Sequence, residues 1–232
     1  MSRLRVHFIM NHISPEANEL ELDRIRIEKL KEHFSENADY YFVNGIDNKE
    51  DMKAYMDLRY NLVVHQYKAF DENDTKTDTN VIDLYDFTSH ILIKRKSDNK
   101  AVGCMRCVEN NDEAVMPMYP ELSNTFSQEL IKRKNNSSKT NFVEGSRICI
   151  DKNLSREEKM KIIPLFIYMI SIYYTNTKYA LGLIVNDKIV KCFEQFGVYP
   201  VYFEKLKFHN LDSQLLIYDL YDVRKNFKYI NI

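Results

Sequence analysis
The chain has 232 residues, 44% of them hydrophobic, and a formal net charge of −1 at neutral pH. That is enough apolar material for one large domain, or one domain plus an extension, with a real core. The charge balance carries no nucleic-acid signature, and no apolar run reaches the length of a membrane span.

The first residues, M-S-R-L-R-V-H-F-I-M, hold an apolar patch too short and too interrupted for a signal peptide. The four cysteines are Cys104, Cys107, Cys149 and Cys192. Few cysteines, no export signal and many lysines fit a cytoplasmic enzyme with free thiols.

Taken in chain order, 5–10 reads as a short strand. Ser14 is placed as an N-cap with Pro15 in the first turn of a helix, whose Leu20, Ile27, Leu30 and Phe34 fall on one stripe. That helix packs on a domain face or pairs with a second subunit in a homodimer. It defines an N-terminal extension over 1–38, ahead of a domain over 39–232. A strand follows at 39–43, with a turn at Asn44-Gly45. A helix is expected over 47–70, with Met52, Met56, Val63 and Phe70 on one stripe and Arg59 at its centre. An arginine on an apolar face needs a carboxylate partner, and Asp83, Asp86 or Glu144 can supply one.

Residues 71–80 read as a polar loop. A hairpin is expected across 88–108, turning at 96–100. Next come Pro117 and Pro120, a helix over 124–133 and a basic tract holding Lys132, Arg133, Lys134 and Lys139. Cations suit a helix C-terminus, and the same tract offers a dock for an acidic partner. A strand over 144–150 and a capping box from Ser155 to Glu158 follow. That box opens a strongly apolar helix containing Pro164. A buried strand over 179–185, a helix ending before Gly197, and strands over 198–203 and 214–221 complete the chain.

Three strands carry charge where a core strand should not. Cys104, Arg106 and Val108 share one side of their strand. On the later one Glu144, Ser146 and Ile148 share a side, with Arg147 pointing the other way. Buried charges must find partners, so either a structural ion-pair network or a polar cleft for an amine or carboxylate is expected. Cys104-x-x-Cys107 has the spacing of a metal or redox motif, but a strand turns its sulfurs to opposite faces. Buried thiols and no metal are expected.

Strand–helix–strand–strand–helix–strand–helix–strand–helix–strand–strand resembles the GCN5-related acyltransferase (GNAT) fold. That implies an α/β (α+β) domain with a central, mixed, mostly antiparallel sheet flanked by helices. Asp83-x-x-Asp86, Gly103-x-x-Arg106 and Glu144-x-Ser146-Arg147 resemble the acyl-homoserine-lactone synthases and their relatives, the N-acyl amino acid synthases. Arg59 with Tyr67 and Phe70 resembles their arginine–aromatic pattern. The resemblance spans about 40–221. It implies an acyl donor carried as a phosphopantetheine thioester on acyl carrier protein, with acyl-coenzyme A as the other donor, and an amine acceptor. No tightly bound cofactor is implied. Glu144 corresponds to the general base, with Arg106 and Ser146 beside it. Arg59, Tyr67, Phe70, Asp83, Asp86 and Arg147 correspond to the substrate cleft, and the basic tract is the carrier's candidate dock. Lactone synthases carry a tryptophan after the arginine–aromatic pair, whereas this chain has none, and Y-D-F-T-S-H looks like the amino acid branch.

Read chemically, an ammonium must lose a proton before it attacks a thioester, which calls for a nearby carboxylate. No serine or cysteine is paired with a histidine in a recognisable motif, so direct attack is expected rather than an acyl-enzyme. Three other readings stand beside this one: a lactone synthase, a coenzyme-A-dependent acetyltransferase, and a non-catalytic lipid-binding module on the same fold. The second usually has a glycine-rich pyrophosphate loop, and D-K-N-L-S-R-E-E-K-M has no glycine.

Overall fold
A computed structural model describes residues 15–37, 39–66, 68, 88–110, 124–135, 142–185, 187–208 and 211–226. The strand read at 5–10, the loop at 71–80, and Tyr67, Phe70, Asp83, Asp86 and Lys139 lie outside the described residues, as do the side chains of Leu20, Phe34 and Lys134.

The described elements are α1 Pro15–Asn37, β1 Tyr40–Asn44, α2 Lys49–Tyr60, a π-helical turn Asn61–Gln66, β2 Thr88–Arg95, β3 Ala101–Asn110, α3 Asn124–Asn135, β4 Phe142–Ile150, α4 Arg156–Tyr173, β5 Tyr179–Ile184, α5 Asp187–Gln195, β6 Tyr202–Phe208, β7 Leu211–Asp219 and α6 Leu220–Asn226. From β1 to β7 the order of strands and helices is the expected one. The seven strands form one sheet in the order β1-β2-β3-β4-β5-β7-β6. Every neighbouring pair is antiparallel except β4 and β5. Helices α2 and α3 cover one face. On the other, α4 lies against β3 and β4 and α5 against β5, with α1 and α6 packed on α4.

Two expectations change. The helix read over 47–70 is α-helical only to Tyr60 and then widens into the π turn. The strand read over 198–203 begins at Tyr202. Val198 is instead used to end α5. Gly197 takes a left-handed φ of 80°, its N–H donates to Glu194, and the Val198 N–H reaches back to Phe193. These two bonds satisfy carbonyls the helix leaves open, which commits Val198 to the cap. The capping box forms as expected, with Ser155 Oγ accepting from the Glu158 N–H. Pro164 lies within α4. It has no N–H for the Met160 carbonyl, which accepts from the Cys192 thiol at 3.9 Å instead.

Helix α1 turns Asp23, Ile27 and Leu30 into its own domain, where Tyr168 donates to the Leu30 carbonyl. Asp23 meets Arg224 of α6 in a two-bond fork of 2.7 and 2.8 Å. A second copy docking on α1 would find Leu22 and Ile25, the large apolar residues it exposes among those described. No described helix is long and apolar enough to cross a membrane.

Candidate active site
Arg106 stands opposite Ser146 and Val108 opposite Glu144 across the β3–β4 ladder. His90 stands opposite Arg106 across β2–β3. Directly opposed residues share a face, so His90, Arg106, Ser146 and Glu144 all point towards α2 and α3. Arg59 enters the same layer from α2. Arg59 and Arg106 are 0% exposed and Glu144 is 2% exposed.

The ladder is interrupted on β4. Arg106 pairs with Ser146 and Cys104 with Cys149, so two steps on β3 match three on β4. The extra residue is a bulge, and Arg147 within it has φ 53°. A left-handed backbone is costly for a non-glycine residue and collects at working sites. The bulge also reverses the alternation. Ile148 does not share the side of Glu144, as strict alternation predicts, but packs with the α4 cluster. Cys149 takes the Glu144 side.

Arg106 Nε donates to Ser146 Oγ at 3.2 Å. Arg59 Nη1 donates to the Tyr55 hydroxyl at 3.2 Å, and its guanidinium lies 5.2 Å from that ring's centre. The same hydroxyl is 3.0 Å from His90 Nδ1. Tyr55 and His90 were not singled out in the sequence. The available signals were that Tyr55 lies one turn before Arg59 and that a histidine interrupts an apolar strand.

Neither carboxylate oxygen of Glu144 has a hydrogen-bond partner among the described residues. Burial raises its pKa above the ordinary carboxylate range, opposed by the charge of Arg106, the Ser146 hydroxyl and the charge of Arg147. A buried, unsolvated carboxylate is a strong proton acceptor. Arg59, Arg106, Arg147, Ser146 and Glu144 are thus built around one layer of the sheet. Of their expected partners, Glu144 accepts no hydrogen bond from the arginines, and Asp83 and Asp86 fall outside the described residues.

Strands β4 and β5 pair only from Phe142–Gly145 with Tyr179–Gly182. Past that point, on the α4 side, lies a cavity of about 20 Å³ lined by Ile148, Phe166, Ile170, Gly182, Phe193 and Tyr218 among others. Ile148 also lines an outer groove of about 610 Å³. The floor of that groove is apolar, with Leu62, Ile150 and Ile163, and its polar lining includes His65, Gln66, Lys152 and Lys159.

Of the basic tract, Lys132 is exposed and lies 3.9 Å from Glu129. Arg133 is largely committed to the fold. It pairs with Glu129 at 2.6 Å, donates to the Val201 carbonyl and lies over Tyr179. Cys104 and Cys107 join clusters on opposite faces of the sheet, and burial pushes the Cys107 thiol up to about 12. Among the described residues no three His, Cys, Asp or Glu side chains gather to hold a metal ion.

Residues 58–163 match the family profile described as an acetyltransferase (GNAT) domain. No curated protein matches the sequence. The fold is similar to that of FeeM, an N-acyl amino acid synthase from uncultured soil microbes, at 10% identity and a TM-score of 0.54, over 81% of this chain and 94% of that one. It is similar to the AHL synthase LasI at 15% identity and a TM-score of 0.55, over 82% and 98% of the two chains. The coenzyme-A-dependent acyl-homoserine lactone synthase BjaI, solved with SAM and isopentyl-CoA, matches at 13% identity and 0.54, over 80% and 86%. At such identities the likeness establishes the fold. Profile and fold agree on a GNAT-like fold.

Proposed function
We propose that this chain is an N-acyl amino acid synthase, moving a fatty acyl group from an acyl carrier protein thioester to the amine of an amino-acid-like acceptor. The observation that carries this reading is Glu144: a buried carboxylate without a hydrogen bond among the described residues, in one layer with Arg106 and Ser146 and beside the bulge where β4 leaves β5.

The acceptor's ammonium gives its proton to Glu144, directly or through water. Its carboxylate is met by the arginines, whose planar fork suits it. The freed amine attacks the thioester carbonyl. A backbone N–H at the Arg147 bulge is assigned to stabilise the oxyanion, and the thiolate leaves on the pantetheine arm, taking up the second proton of the amine as the amide forms. The lactone-synthase reading remains the second choice, because the chain lacks the tryptophan that lactone synthases carry near the substrate.

The choice of carrier protein over coenzyme A rests on the entrance to α4. A pyrophosphate cradle needs free N–H groups. Here the N–H of Asn153 donates to Asp151 Oδ1, that of Leu154 to the Asp151 carbonyl, that of Ser155 to Glu158 and that of Glu158 to Ser155. The outer groove instead presents Lys152 and Lys159 beside an apolar floor, which suits an apolar arm with one phosphate. Lys152 and Lys159 at this groove, and Lys132 separately on α3, are the candidate contacts for an acidic carrier. Reversing Lys152 and Lys132 to Glu is expected to raise the KM for the carrier thioester on the order of tenfold, and added salt to raise the wild-type KM likewise. Equal use of free acyl-coenzyme A, with no effect of the reversals, contradicts the carrier assignment.

Incubating the protein with acyl carrier protein thioesters, acyl-coenzyme A and an amino-acid mixture, then reading masses, tests the function itself. An N-acyl amino acid is expected. A homoserine lactone as sole product selects the second reading.

Gly182 gives a separate check on where the donor lies. It ends the β4–β5 pairing, and a Cβ added there meets no atom closer than the Gly145 carbonyl oxygen at 3.9 Å. Gly182→Val, whose Cβ has room and which is favoured in a strand, is expected to fold with its methyls filling the opening. Acyl transfer is expected to fall on the order of tenfold or more, hardest with long acyl chains. Unchanged chain-length preference with intact stability removes the donor from this notch.

A further inference from the structure
The sheet ends at β6, which pairs only with β7 among the described strands. An antiparallel edge strand with one face on the core turns apolar residues inward and polar ones out. Strand β6 obeys this on one side, where Tyr202 and Leu206 pack with Phe126 in the cluster under α3. Its other side does not. Exposure alternates without a break from Tyr199 to Lys207, and the exposed positions are Tyr199, Val201, Phe203, Lys205 and Lys207. Tyr199 and Phe203 are 61% and 60% exposed. Of the seven large apolar side chains exposed among the described residues, three fall on this stripe. An apolar stripe along an open strand edge is a template for a further strand.

We propose that this edge pairs with β6 of a second copy of the chain, antiparallel about a two-fold axis through Phe203. The side chains choose both the occupant and the register. Such an axis stands normal to the sheet and keeps each face on its own side, so residues of one face oppose residues of the same face. Centred on Phe203, the two phenylalanines meet, Val201 opposes Lys205 of the second copy, and Tyr199 opposes its Lys207. Each ammonium then lies beside an apolar or aromatic side chain that the lysine stem can cover. On the α3 side Tyr202 opposes Glu204, the residue its hydroxyl already bonds within the chain at 3.0 Å. No like charges meet. Centred on Glu204, Lys205 or Lys207, the edge would set that residue against itself. Centred on Leu206, it would set Lys205 against Lys207, which is equally unfavourable. Centred on Tyr202, it would bring one residue of each strand together rather than three. Lysines commonly keep an edge from pairing at all. Here they forbid the wrong registers and leave this one open.

Two experiments decide it. In sedimentation the protein should dimerise reversibly with a dissociation constant of roughly 10–100 µM, because a single strand edge is at the small end of interface sizes. Phe203→Lys sets like charges face to face at the centre and should weaken the dimer on the order of tenfold or more, with the melting point of the monomer unchanged. Leu22→Lys with Ile25→Lys, on α1, should leave the dimer intact. The register is read by disulfide trapping, which is clean because the native cysteines are all buried. Val201→Cys and Lys205→Cys, mixed in equal amounts, should cross-link to each other. Neither should cross-link alone, since its two sulfurs start four residues out of step, about 14 Å along the strand. Phe203→Cys should cross-link to itself. A protein still monomeric at about 1 mM overturns the proposal. So does a dimer that survives Phe203→Lys or is lost with the α1 change. Cross-linking of Lys205→Cys alone as fast as the mixture means another register and overturns it too. Binding of a monomer to anionic lipid vesicles, lost in Phe203→Lys, overturns it in favour of a lipid surface.

Discussion

Glu144→Gln is expected to slow acyl transfer at neutral pH on the order of a hundredfold or more, with no loss of stability. The two halves of that result have one cause. Glu144 is 2% exposed and its oxygens accept no hydrogen bond among the described residues. Burial therefore raises its pKa, with Arg106, Ser146 and Arg147 opposing. A raised pKa means the folded protein holds the proton more tightly than the unfolded chain. Stability from this group is fully present below the ordinary value of 4.5 and is lost as pH rises through the higher folded value. At neutral pH the carboxylate is a burden on the fold, and the neutral amide of glutamine removes it. Activity runs the other way. The base works only when deprotonated, so wild-type kcat/KM climbs with pH through the raised Glu144 pKa. The variant loses that limb and follows only the acceptor amine's own loss of its proton. Full activity of Glu144→Gln at neutral pH makes Glu144 structural. A fall in rate matched by a fall in melting temperature points to the same end.

The sequence exposed the charged layer because charge in an apolar strand is costly and visible. Arg106, Glu144, Ser146 and Arg147 interrupt apolar runs, and Arg59 sits on an apolar helix stripe. The order of strands and helices was legible for a similar reason, since each element has its own hydrophobic period and its own cap. What could not be read was set by contacts distant in sequence. The φ of 53° at Arg147 is held by the surrounding ladder, and no residue there advertises it. Alternation alone therefore put Ile148 on the wrong face. Tyr55 and His90 meet across 35 positions. The early end of α2 follows from a change to π geometry, which leaves no mark in the apolar periodicity. Val198 reads as strand because it is apolar and β-branched, yet the cap of α5 claims its N–H.

The role of the N-terminal helix was likewise hidden, because Asp23 and Arg224 are 201 positions apart. Their side chains are 5% and 0% exposed, and two parallel bonds join them. Arg224 also donates to the Ser171 carbonyl at 3.1 Å and lies over Tyr221. One carboxylate on α1 thus balances a guanidinium held by α6 and α4. Asp23→Ala leaves that guanidinium buried without its counter-charge, which costs about 3–5 kcal/mol. For a chain of this size a melting point lower by about 10 °C or more is expected. The double change Asp23→Leu with Arg224→Met should recover most of the loss, since an apolar pair of similar volume avoids the desolvation of both charges. If Asp23→Ala melts like the wild type, α1 is an appendage and the ion pair is incidental. If the double variant is no better than the single one, the loss comes from packing around α1 rather than from an uncompensated charge. In the expected case α1 holds α6 and α4 in place beneath the β3–β4 layer, and removing residues 1–38 should cost folding before it costs chemistry.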